Sequence, residues 1–157
     1  MEGVGEIMQN EKGFTLIELL IVIAIIGILA AISVVAFQGN IRKANEAAAV
    51  AAINTIKIAE TKYAIDHEGH FGSFSQLFKE AYLDKRFNTD SPHLHGYVFV
   101  ITLIDKPTRA AASFQLQANP ELSEGMGATG KVFYYAEPDG GVYYSREGPA
   151  DSDDDLL

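Results

Sequence analysis

Glu18 is the only charge between Phe14 and Phe37, in a run that is otherwise almost wholly apolar. A carboxylate in that setting is costly and marks a partner or a function. The plainer alternative is a side chain that snorkels to the headgroups near the positive end of its helix dipole. Other reactive residues make weaker patterns. His67-Glu68-Gly69-His70 is one residue short of H-E-x-x-H, so two histidines four apart on one helical face are missing, and Gly69 favours a turn. His93 and His95 could add ligands, but exposed loop histidines are the simpler reading. Asp151, Asp153, Asp154 and Asp155 lack the glycine and spaced ligands of a calcium loop and read as a solvated acidic tail. Tyr134, Tyr135, Tyr143 and Tyr144 fit cross-strand packing. No nucleophile elbow, phosphate loop or carboxylate pair stands out. The chain is therefore expected to be no enzyme, with neither metal nor cofactor.

Glu18 must be positioned by a helix. The run from Phe14 to Phe37 can cross about 30 Å of hydrocarbon at roughly 1.5 Å rise per residue. A secretory signal would be removed at a small-residue site, but here the run passes straight into an alanine-rich helical pattern. The segment is expected to remain in the product. Gly27, Ala30 and Ala31 permit close approach of a second helix, and Gly27 is also a point where the helix loosens in water. Before the run, Lys12 is the one cation of a short polar leader and marks the cytoplasmic side.

The junction Lys12-Gly13-Phe14-Thr15-Leu16-Ile17-Glu18, followed by an uncharged run, resembles the class III signal of type IV pilins and type II secretion pseudopilins. The strong match spans residues 12–40; beyond that, only the layout is similar. The resemblance implies that a prepilin peptidase cuts between Gly13 and Phe14 and methylates the new amine of Phe14. It also implies subunit assembly through Phe14, Glu18 and Gly27, with Glu18 paired to the Phe14 amine of its own or a neighbouring chain. Two departures are visible. No proline stands near Val35, and no cysteine closes a C-terminal loop.

The formal net charge is −9, and removal of residues 1–13 takes away Glu2, Glu6, Glu11 and Lys12, a net −2, leaving −7. That balance argues against direct nucleic-acid binding, which needs clustered cations. From Asn40 to Asp66 the helix becomes amphipathic, with a stripe of Ile41, Ala48, Ala52, Ile56, Ala59 and Tyr63 widened by Val50 and Ile53. Arg42 and Glu46 are spaced for an ion pair. Ser73 to Gln76 reads as a capping box opening a short helix to Tyr82, packed down by Leu77, Phe78 and Ala81. Residues 84–96 read as a loop. Strands are expected at Tyr97–Ile104, Ser113–Ala118, Lys131–Ala136 and Val142–Ser145, the last two joined by the turn Pro138-Asp139-Gly140-Gly141. Short turns between consecutive strands imply an antiparallel sheet.

The expected fold class is α+β and pilin-like: a long N-terminal helix packed on an antiparallel sheet of about four strands. The expected organisation is a leader at 1–13, a transmembrane and polymerisation helix at 14–39, a globular domain at 40–149 and a disordered acidic tail at 150–157. The resulting reading is a prepilin that sits as a single-pass protein in the inner membrane and then polymerises with copies of itself or related pilins into a surface fibre. The rivals are a periplasmic pseudopilin of a type II secretion system and a non-polymerising anchor with an extracytoplasmic binding domain.

Overall fold

The computed structural model describes residues 13–104, 112–125 and 127–157. Lys12 and the rest of the expected leader before Gly13 lie outside the described residues. Helix α1 runs from Leu16 to Asp66, and the chain divides between Phe37 and Gln38 into two units, each described by itself.

In the first unit α1 is an apolar cylinder with no interior to bury it. Leu20, Ile23, Ile26, Leu29 and Ile32 are all exposed. It is the one helix, among the described residues, long and apolar enough to cross a membrane.

The second unit builds a core between the rest of α1 and a six-stranded antiparallel sheet. Ala49, Ile53, Ile56, Ala59 and Tyr63 face Phe99, Phe114, Leu116 and Ala118. Each large apolar side chain removed from water there contributes about 1.5–3 kcal/mol. The stripe is rotated from the expected one, since Ile41 is exposed and Ala48 and Ala52 are half-buried. Its centre passes instead through Ile53 and the carboxylate Glu60, which is 0% exposed. A charged residue on the buried face hides the stripe from a hydrophobicity pattern.

Helix α2, Phe74–Lys79, starts as expected: Ser73 and Gln76 form a reciprocal capping box. It stops short of Tyr82, because Ala81 adopts a left-handed backbone (φ 62) and is exposed, not packed down. A single 3-10 turn, Lys85–Phe87, then buries Phe87.

The strands lie in sequence order: β1 (His93–Leu94), β2 (Tyr97–Ile104), β3 (Ser113–Pro120), β4 (Phe133–Ala136), β5 (Val142–Ser145) and β6 (Asp155–Leu156). Four correspond to those expected. The sheet gains β1 inside the expected loop, and β6 inside the tail expected to be disordered. The tail is instead tied down: Ala150 is buried, Tyr143 pairs with Leu156, and the Leu157 N–H donates to the Val142 carbonyl at 2.8 Å. Backbone pairing and two apolar residues at the end outweigh the solvation of the four aspartates. Both sheet edges are thus two-residue strands, and short edges limit pairing with foreign strands.

Candidate processing and assembly site

The sequence Thr15-Leu16-Ile17-Glu18 has the S/T-x-x-E form of a helix-starting box. The structure closes it. Thr15 N–H and Thr15 Oγ1–H both donate to Glu18 Oε2, at 2.8 and 2.7 Å, and Glu18 N–H donates to Thr15 Oγ1 at 3.2 Å. Two of the orphan N–H donors at the start of α1 are satisfied in this way, that of Thr15 by the Glu18 carboxylate and that of Glu18 by the Thr15 hydroxyl. Thr15 is therefore a hydrogen-bonded neighbour of Glu18 that the expected site omitted, although its signature stood in the sequence. Glu18 Oε1 carries no hydrogen bond among the described residues.

Around this cap, Gly13 and Phe14 are exposed, Phe14 to 88%. Gly13 and Phe14 precede α1, so the peptide bond between them lies outside the helix between two exposed residues. In the uncut chain the Phe14 nitrogen is an amide and offers Glu18 no cation. A Cβ built at Gly27 would meet nothing within 4 Å, so one side of the apolar helix lies open to a partner. Among the described residues, the structure thus brings Glu18 to Thr15 and leaves Gly13, Phe14 and Gly27 exposed.

Several of the other reactive residues are engaged elsewhere. His67 stacks on Tyr63 with ring centroids 3.8 Å apart, its Nε2 is 3.1 Å from Glu80 Oε2, and Glu68 and Gly69 make a turn with positive φ. His93 Nδ1 lies 2.8 Å from Glu121. Arg42 and Glu46 form no ion pair among the described residues; Glu46 Oε1 instead accepts the Lys131 backbone N–H at 2.9 Å. Asp151 and Asp154 cap their own turn through the N–H groups of Asp153 and Asp151. Among the described residues there is no group of three or more side chains suited to a metal.

Comparison with known proteins gives this geometry a context. Residues 8–34 match the family described as the prokaryotic N-terminal methylation motif. The chain is 32% identical over 139 residues to the type IV wide pilus major component PilA4 of Thermus thermophilus, covering 87% of this chain and 88% of that protein. It is 47% identical over 57 residues to the type IV major pilin protein PilE1 of Neisseria gonorrhoeae, covering 36% of this chain and 34% of that one. It is also 37% identical over 77 residues to the competence protein ComGC of Bacillus subtilis, covering 49% of this chain and 79% of that protein. No solved structure matches the chain. A capped, exposed apolar helix behind an accessible Gly-Phe bond, an α+β domain, and similarity over most of its length to a pilus subunit together place this chain in the type IV pilin family.

Proposed function

We propose that the mature chain is a structural subunit that polymerises, apolar helices inward, into a type IV pilus or pilus-like fibre. The observation that carries this reading is the exposed apolar half of α1 behind the Gly13-Phe14 junction, which only a membrane or other helices can cover. A prepilin peptidase cuts after Gly13, and the new amine of Phe14 is methylated. Before assembly the chain rests in the inner membrane; after it, the chain stands on the cell surface. A pilus is favoured over a secretion pseudopilus because the relative matched along most of its length is named as a major pilus component.

Glu18 has two tasks in this reading. Its Oε2 holds the start of α1 through Thr15, while Oε1 is left for the Phe14 amine of its own or an adjacent subunit. A carboxylate can accept about four hydrogen bonds, so the two tasks are compatible. Pairing in a dry helix bundle would set the axial register, since a displaced subunit leaves both charges unpartnered.

Mass spectrometry of sheared surface filaments tests the reading directly. The expected product begins at a methylated Phe14. Gly13→Val should leave the precursor uncut in the membrane, and mature-sized protein from that variant would falsify the cut site. Glu18→Ala and Glu18→Gln should both be processed yet yield little filament relative to membrane-retained protein. A wild-type ratio in both would reduce Glu18 to a helix cap.

A further inference from the structure

Four of the chain's 12 Lys and Arg residues meet at one place on an otherwise acidic protein. Arg42 and Lys43 from α1, Lys131 from the approach to β4 and Arg146 from the end of β5 line a cleft of about 270 Å³. Val132 and Gly39 complete its walls together with Glu46. No ion pair engages any of the four cations among the described residues. Glu46, the one acid in the cleft, already holds the Lys131 backbone N–H through Oε1. Lys131 and Arg146 also border a neighbouring cleft with Glu124 and Glu147, and are paired there to neither. The Arg146 guanidinium lies 5.5 Å from the centre of the Tyr144 ring, a stacking contact that holds it in place. Lys43, Lys131 and Arg146 are exposed, and Arg42 is half-buried.

What such a cleft would meet follows from its place on the chain. Arg42 and Lys43 come five and six residues after Phe37, the last residue of the apolar run, which is about 7–9 Å of helical rise. The polar headgroup zone of a bilayer extends roughly 5–8 Å beyond each side of its hydrocarbon core. We propose that this cleft binds the phosphate of an anionic phospholipid headgroup while the subunit is still in the membrane. Arginine grips phosphate with paired N–H donors and lysine adds point charge, so Arg42 and Arg146 orient the headgroup while Lys43 and Lys131 neutralise it. The apolar floor at Val132 suits the glycerol end of a lipid better than a fully hydrated ion. The subunit would have to release that lipid on entering a fibre.

This rests on the apolar half of α1 lying in a membrane, so the experiment reads insertion and lipid choice separately. The full chain, in detergent micelles, is titrated with phosphatidylglycerol or phosphatidylcholine and followed by native mass spectrometry. Retention of phosphatidylglycerol over phosphatidylcholine is expected, falling about fivefold for each of Lys131→Gln and Arg146→Gln. Both variants should resist alkaline carbonate extraction and keep the wild-type thermal transition. Equal retention of the two lipids, or retention untouched by the variants, overturns the proposal. So does displacement of the lipid by millimolar inorganic phosphate, which points to a soluble anion. Loss of filaments in the variants with unchanged lipid retention also overturns it and assigns the cations to a neighbouring subunit. Extraction of the wild-type chain by carbonate would overturn the membrane reading itself.

Discussion

Glu60 is a carboxyl that the domain holds at a cost. It is fully buried on α1; Oε2 accepts the Gly72 N–H at 2.9 Å, while Oε1 has no partner among the described residues. Burial raises its carboxyl pKa to about 7, with the Gly72 bond opposing the shift. The folded state therefore binds a proton that the unfolded chain, titrating near 4.5, has already lost. The penalty is absent below about pH 4.5, grows as pH rises towards 7, and is complete above it, amounting to about 3 kcal/mol. Thermal melts between pH 5 and 8 should show stability falling through this window, and Glu60→Gln should flatten the curve. An unchanged slope in that variant would assign the pH dependence to other groups. Gly130 offers a second residue-scale test, because a Cβ there would collide with Tyr97 Oη. Tyr97 is fully buried and donates to the Val132 carbonyl at 2.9 Å. Gly130→Ala must displace that ring, and the expected loss in denaturant unfolding is about 1–3 kcal/mol.

Among the elements, both helices begin with a reciprocal box, Thr15 with Glu18 and Ser73 with Gln76. Only the second lies in the unit that buries its own core, so its value is measurable in water. Ser73→Ala should lower unfolding free energy by about 1 kcal/mol. Strand β6 closes the far edge of the sheet, and Leu156 lies so close to Gly141 that a Cβ there would meet Leu156 Cδ1 at 2.5 Å. Deleting the residues after Pro149 should uncover the β5 edge, lower the melting temperature and raise aggregation. A truncated domain that melts and sediments like the longer one would show that β6 contributes nothing in solution.

The molecule as a whole divides its apolar surface between two destinations. The unit from Gln38 onward buries its own core, whereas the helix before it is exposed throughout its described residues. We expect a protein of residues 40–157 to be soluble and monomeric with one cooperative thermal transition, since it keeps the buried face of α1 and all six strands. Persistent insolubility without the apolar run would place the boundary elsewhere. The full chain should need detergent or lipid at any concentration, and analytical ultracentrifugation of both forms makes the comparison.

The membrane-length helix, the methylation motif that spans Gly13 to Glu18 and four of the strands were legible because each is local. A run of uncharged residues, a cap three residues from its partner and a two-residue alternation need no knowledge of distant chain. Even Thr15 was legible in that sense, since its box with Glu18 is written in four consecutive residues. What required the tertiary structure was every decision made between segments far apart in sequence. The rotation of α1 about Ile53 and Glu60 depends on Gly72 supplying a donor from another element. The docking of the acidic tail as β6 depends on a free edge of β5, with Leu156 resting over Gly141. The meeting of Arg42 and Lys43 with Lys131 and Arg146 joins charges about a hundred residues apart. Periodicity reports how polar a segment is, but the burial of a carboxylate, the ordering of an acidic strand and the gathering of cations are settled by what lies across from them.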